Sequence, residues 1–528
     1  MSDTSEKQHV AIYDTTLRDG TQGEGISYSS LDKLRIAEKL DEFGVDYIEG
    51  GWPGSNPKDV EFFQEAKNRK WKHAKIAAFG STRRMNVDVA EDPQVRTLLE
   101  AETPVVTIFG KSWELQVTQI LRTTVEENQA MIRDTVRYLK EHDKEVVYDA
   151  EHFFDGYKDD PEHALATLQA AKEGGADILV LCDTNGGTLP DEVETITATV
   201  RERLQIPVGI HTHDDSGLAV ANSLAAVRQG AVQVQGTING YGERTGNCNL
   251  TSTIPNLQLK MGIKVVEDLT MMTAVSHFVD DLANCPHNVH APFVGSTAFS
   301  HKGGMHVNAV QKLARSYEHI RPEEVGNRQH ILVSELSGQS NILLKGEELG
   351  IKLEKGDPIV RAILDKTKER EKEGYEYEAA DASFEVLIRK ELEQHRTYFD
   401  LLEYHCTFRR QQTHKYESCE ATVKLMIDGE RVYTVAEGDG PVNALDKALR
   451  KALQPTYPGL GDVELQDYKV RIIDGGAGTA AKTRVLIVSG AEGKTWGTVG
   501  VSENIITASW EALVDSMEYY LYRKVKGA

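Results

Sequence analysis

Eight short apolar runs, each followed by a stretch of helical length, fill the first half of the chain. They are Val10–Tyr13, Val45–Ile48, Lys75–Phe79, Val105–Phe109, Val146–Tyr148, Ile178–Leu181, Pro207–Ile210 and Val232–Thr237. Near-continuous apolar strands alternating with helices build a parallel sheet covered on its faces. The first spacer shows the local logic. Ser29 caps a helix with Asp32 near its third position, Leu34, Ala37 and Leu40 share one face, and Gly44 stops it. Eight βα units in about 250 residues predict an α/β fold, the (β/α)8 or TIM barrel. A doubly wound sheet is the competing arrangement, but no GxGxxG turn follows the first run.

A barrel alone does not use up 528 residues, so further domains are expected. From about Leu282 the strand–helix alternation stops, and charge-rich helical segments such as Lys366–Glu373 run to Tyr398. Within them lies a compact polar cluster, Ser300–Asn308. From Leu401 an internal repeat appears: GERVYTVAEGDGPVNALDKAL (Gly429–Leu449) matches GKTWGTVGVSENIITASWEAL (Gly493–Leu513) at Gly, Thr, Val, Ala, Ala and Leu positions. Each copy reads as a β-hairpin followed by an amphipathic helix, so the pair predicts a pseudo-twofold α+β domain. Between the copies, Asp474–Thr479 is glycine-rich, either a tight turn or a place where backbone approaches a ligand. The expected division is 1–281 barrel, 282–400 helical linker and 401–528 C-terminal domain.

The net charge of −22 repels nucleic acid and anionic membranes, and no run approaches the ~20 apolar residues of a membrane span. Met1–His9 is unlike a targeting peptide, so a cytoplasmic protein is expected. The five cysteines include no CxxC pair, which argues against a disulfide framework and a cysteine zinc site. Cys248, beside Asn247, is either a buried small residue or a neighbour of the site.

The polar residues gather just after the apolar runs, at the carboxyl ends of strands, where barrel enzymes assemble their sites. His211 and His213 alternate along a strand and so share its inward face. With Asp19 and Asn247 at other strand ends they offer imidazole, carboxylate and amide donors suited to a divalent cation with open positions. Asp214 and Asp215 are candidates to orient the imidazoles. Arg18 is either paired to a carboxylate such as Glu49 or a cation beside the metal that stabilises an oxyanion. Glu151, after the fifth run, is a candidate base or an anchor for the arginine. His306, among glycines, is a general acid–base candidate or an ordinary loop histidine.

Asp14–Gln22, His211–Asp214 and Asn239–Asn247 resemble the signatures of the Claisen-condensing acyltransferases, which include 2-isopropylmalate, homocitrate and citramalate synthases. Gly25–Asp59 looks most like the long-type citramalate synthases, and the likeness covers nearly the whole chain, the C-terminal region resembling a regulatory dimerisation domain. The resemblance implies condensation of acetyl-CoA with a 2-oxo acid, releasing CoA. With pyruvate as acceptor the product is (R)-citramalate, in the isoleucine biosynthetic route. It implies catalytic roles for Arg18, Glu151 and His306, and a metal (Mn2+, Mg2+, Zn2+ or Co2+) on Asp19, His211, His213 and Asn247. It implies substrate contacts at Thr184, Asn308 and, in a looser match, Tyr317. It also implies a homodimer, with isoleucine or a related amino acid as feedback effector on the C-terminal domain; Gly475, Gly476 and Gly478 are its regulatory candidates. One departure is Gly50-Gly51-Trp52-Pro53-Gly54, where isopropylmalate synthases commonly carry a Gly-Phe-Pro run, and this favours pyruvate. Phe79, Ile108 and Phe109 are expected to shorten the acceptor pocket to a methyl group. Isopropylmalate or homocitrate synthesis, an acyl-CoA lyase and a non-catalytic amino-acid sensor are the competing functions.

Overall fold

The computed structural model describes residues 9–526 apart from 302–305, 307–308, 311, 332–338, 378, 393–395, 412–415 and 474–480. Asn308, Gly475, Gly476 and Gly478 therefore lie outside the described residues. The chain divides into two compact units, one reaching Phe299 and including Ile320–Gln329, the other comprising Ser300–His319 and His330 onward.

In the first unit eight parallel strands close a barrel in sequential order: β1 (Ala11–Asp14), β2 (Tyr47–Gly51), β3 (Lys75–Ser81), β4 (Val105–Lys111), β5 (Glu145–Glu151), β6 (Ile178–Asp183), β7 (Val208–Thr212) and β8 (Gln233–Gly236), with β8 pairing back to β1. Side chains alternate as a pleated strand requires. Ile12, Ile48, Ile76, Val106, Ile108, Val146, Leu179 and Ile210 pack outward under the helices, while Ala11, Tyr13, Tyr47, Ala77, Val105, Val147 and Val180 fill the interior. The helix α1 (Ser30–Phe43) has the expected ends. Ser29 Oγ accepts the Asp32 N–H at 3.1 Å while the Asp32 carboxylate accepts the Ser29 N–H at 3.0 Å. Gly44 closes α1 at φ 95°, a left-handed conformation that glycine adopts without a Cβ clash.

The second unit contains the helices Gln339–Glu348, Pro358–Glu373 and Asp381–Glu391, whose core includes Ile342, Ile363 and Phe384. After them come two three-stranded antiparallel sheets: Asp400–Gln411, Tyr416–Ile427 and Glu430–Gly438, then Glu464–Ile472, Thr483–Ala491 and Lys494–Ser502. Each is followed by a helix, Pro441–Leu453 or Ile505–Lys526. The repeat is thus real and one strand longer per copy than the hairpin read from sequence. It extends to detail: the ladder slips between Leu401 and Glu403 in the first sheet and between Leu465 and Asp467 in the second. Thr434 donates to the Ala448 carbonyl and Thr498 to the Ala512 carbonyl, each at 2.8 Å. No helix among the described residues is long and apolar enough to cross a membrane.

Candidate active site at the carboxyl ends of the barrel strands

The turn after β1 carries Arg18 and Asp19 into the barrel mouth. Arg18 is paired to Glu49, the first of its two readings, and also lies beside Asp19. Its Nε donates to Glu49 Oε2 at 2.6 Å, its Nη1 lies 3.2 Å from Asp19 Oδ1, and its guanidinium stacks 3.7 Å over the Phe79 ring. Glu49 is fully buried and also accepts from the Tyr13 hydroxyl (2.7 Å) and the Thr15 hydroxyl (2.6 Å). Burial raises the Asp19 pKa, but Arg18 and the two histidines overcome it and hold the carboxyl well below its usual range. Asp19 is an anion at any working pH.

His211 is the penultimate residue of β7, and His213 follows the strand in a bridge that pairs it with Asn247. Their Nε2 atoms face each other at 3.3 Å, and Asp19 Oδ2 lies 3.3 Å from His211 Nε2. Burial and then the His211 charge depress the His213 pKa to about 4, so this ring is neutral and keeps a lone pair. Burial disfavours charge on His211 too, yet Asp19 and then Asp149 hold its pKa above the usual value. Asn247 donates its amide N–H to the Tyr241 carbonyl at 3.0 Å, which leaves Oδ1 buried with no hydrogen-bond partner among the described residues. The turn bringing Asn247 there depends on Gly246 (φ 103°), where a Cβ would fall 1.9 Å from the Gly240 carbonyl oxygen. Two imidazole nitrogens and a carboxylate converging on one point, beside an orphaned amide oxygen, fit a divalent metal. Asp214 and Asp215 do not orient the imidazoles: Asp214 accepts the Ala219 N–H at 2.9 Å and Asp215 grips Arg244 at 2.7 and 2.9 Å. Gln235 takes that place, accepting from His211 Nδ1 at 2.8 Å.

Beside the cluster opens a cavity of about 220 Å³ lined by Arg18, Asp19, Gln22, Trp52, Phe79, Phe109, Asp149, Glu151, Cys182, Thr184, His211, His213 and Glu243. Phe79 and Phe109 stack at 5.5 Å, and Trp52 meets both edge-on at 5.8 and 5.7 Å, forming one aromatic wall. Ile108 is not part of it. It alternates with Phe109 along β4 and packs outward in the helix-facing core. Glu151 is ion-paired with Lys111 rather than with Arg18. Thr184 Oγ1 accepts the His152 N–H at 2.8 Å, and the Thr184 carbonyl accepts from Arg244 at 2.8 Å. Cys248 is fully buried, its sulfur accepting the Ser223 hydroxyl at 3.2 Å, and it stands apart from the cavity lining. His306 and Tyr317 belong to the second unit, where their rings meet at 4.4 Å. The sequence reading gave neither Asp149 nor Gln235 a role, although Asp149 directly follows the fifth apolar run and Gln235 lies within the eighth.

Three families match successive parts of the chain: HMGL-like over residues 9–279, the homocitrate synthase post-HMGL domain-like family over 293–374, and the LeuA allosteric (dimerisation) domain over 378–521. The chain is 56% identical over 519 residues to the (R)-citramalate synthase of Aquifex aeolicus, a match covering 98% of both chains. To that of Geobacter sulfurreducens it is 54% identical over 516 residues, covering 97% of this chain and 98% of the other. To that of Sulfolobus acidocaldarius it is 47% identical over 515 residues, covering 97% of each. A barrel whose strand ends carry this cluster of candidate metal ligands, matched end to end at such identity, belongs to the (R)-citramalate synthase family of HMGL-like acyltransferases.

Proposed function

We propose that the chain joins the acetyl group of acetyl-CoA to pyruvate and hydrolyses the thioester, releasing (R)-citramalate and CoA. The observation that carries this reading is Arg18, fixed between Asp19 and Glu49 over Phe79 at the edge of a cavity closed by three aromatic rings. A divalent metal held by Asp19, His211, His213 and Asn247 would supply Lewis acidity to the keto group of the bound acid. Arg18 presents a preformed cation where the keto oxygen gains negative charge, and Glu49 spares it any reorganisation as that charge develops. Trp52, Phe79 and Phe109 bound the space for the acceptor's alkyl group and favour a methyl. Glu151, inside the cavity, and His306 carry the proton transfers. A proton leaves the acetyl methyl, the resulting carbanion attacks the keto carbon, the new alkoxide is protonated, and water cleaves the thioester to a carboxylate and the CoA thiol. Glu151→Gln and His306→Asn are each expected to lower kcat by roughly 10²–10⁴-fold, measured by thiol release.

The reading extends to the cell. The product feeds isoleucine synthesis in the cytoplasm, residues 282–400 connect the barrel to a dimerising domain at 401–528, and isoleucine acts there as effector. The deciding experiment is CoA release from acetyl-CoA by chelator-stripped enzyme, with Mn2+, Mg2+, Zn2+ or Co2+ restored, against pyruvate, 2-oxobutyrate, 2-oxoisovalerate and 2-oxoglutarate. Metal-dependent release greatest with pyruvate is expected. A preference for 2-oxoisovalerate or 2-oxoglutarate overturns the acceptor, and no release with any acid overturns the condensation.

A further inference from the structure

A metal ligand that is an imidazole must offer an electron pair at one nitrogen, so its proton has to stay on the other. In neutral histidine nothing intrinsic selects the right tautomer, and the neighbour of the second nitrogen decides. For His211 that neighbour is an amide, whose two ends have opposite demands. The Gln235 carbonyl oxygen requires a proton on Nδ1 and leaves the Nε2 pair toward Asp19 and His213. The Gln235 NH2, turned the same way, would require the proton on Nε2 and close the site.

The amide is held the right way round from across the barrel. Its Nε2 donates to Asp149 Oδ1 at 3.0 Å and lies 3.4 Å from Gln233 Oε1. Asp149, at the inner face of β5, is nine-tenths buried, and when ionised it can only accept. The Gln235 oxygen is thereby left for His211 Nδ1, 2.8 Å away, on the adjacent strand at the paired position. We propose that Gln235 is a positioning residue that fixes the metal-binding tautomer of His211, with Asp149 fixing the orientation of the Gln235 amide. The inference rests on the metal site of the preceding reading and adds to it two interior residues that touch no metal.

The test is Co2+ binding to the full-length apo-protein at pH 8, read by calorimetry and by the visible absorption of the bound ion, with the apo melting temperature as a check on folding. Burial lifts the Asp149 carboxyl to about 7, so at pH 8 it is ionised. Gln235→Leu, which removes the acceptor, and Asp149→Asn, which frees the amide to turn, should each weaken Co2+ binding 10–100-fold and alter the absorption bands. The exchange Gln235→Glu with Asp149→Asn restores an acceptor toward His211 and a donor toward residue 235. It should recover binding to within a few-fold of wild type. Gln235→Leu binding Co2+ as tightly as wild type overturns the proposal, and so does a double exchange no better than Asp149→Asn alone. Wild-type protein that binds no Co2+, or whose binding is indifferent to Asp19→Asn, overturns the metal site itself and this inference with it.

Discussion

With both oxygens of Glu49 occupied by Tyr13, Thr15 and Arg18, the arginine is held in a single pose against the Phe79 ring. Removing the Glu49 charge leaves the buried Arg18 cation paired to Asp19 alone. Glu49→Gln is therefore expected to lower kcat/KM for the acceptor roughly 10–100-fold, as loss of a supporting partner does. It should also cost about 3 kcal/mol of barrel stability, since one member of a buried pair is lost. Acceptor titrations and urea unfolding read the two effects separately. The aromatic wall belongs to the same scale. Phe109→Ala opens space beside Trp52 and Phe79, and kcat/KM for 2-oxobutyrate relative to pyruvate should rise by about 10-fold or more. An unchanged ratio places the acceptor's alkyl group elsewhere.

The strands were legible because a pleated element buried on both faces leaves an apolar run, and such runs recur here at βα spacing. What the runs conceal is their inner polar layer. Gln235 and Asp149 look like interruptions of an apolar pattern, and only the parallel register of β7 with β8 places Gln235 beside His211. The first strand of each C-terminal sheet was missed for a different reason: Glu464–Ile472 is mostly exposed along its length and carries no strong alternation. The candidate ligands and Arg18 stood out as residue types at strand ends, and Phe79 and Phe109 as bulky residues of the third and fourth runs, whereas Trp52, just past β2, joins them only once the parallel strands bring the three rings together. At β1 a buried carboxyl adds a pH response. Burial lifts Asp14 to about 7 despite the hydrogen bonds it accepts from the Thr16 N–H and hydroxyl. The folded chain then retains a proton that the unfolded chain loses above its ordinary value of 3.8, so this contribution is full below that value and is lost as pH rises through 7. In Asp14→Asn the loss is absent. Urea unfolding from pH 4 to 8 should show wild-type barrel stability falling relative to the variant as pH rises.

At the scale of the molecule, each unit has its own core, the barrel's around Ile12 and Ile48 and the second unit's around Phe384 and Leu449. Calorimetry is expected to resolve two transitions, of which added metal raises only the barrel's. At a hundredfold excess over Kd the gain is about 2.7 kcal/mol, and a chelator should abolish it. The barrel also separates two duties around its rim. The candidate ligands come from the segments after β1 and β8 and from the end of β7, and the aromatic wall from the ends of β2, β3 and β4. On the proposed function, exchanging those three side chains changes which acid the barrel accepts and leaves Asp19, His211, His213 and Asn247 in place.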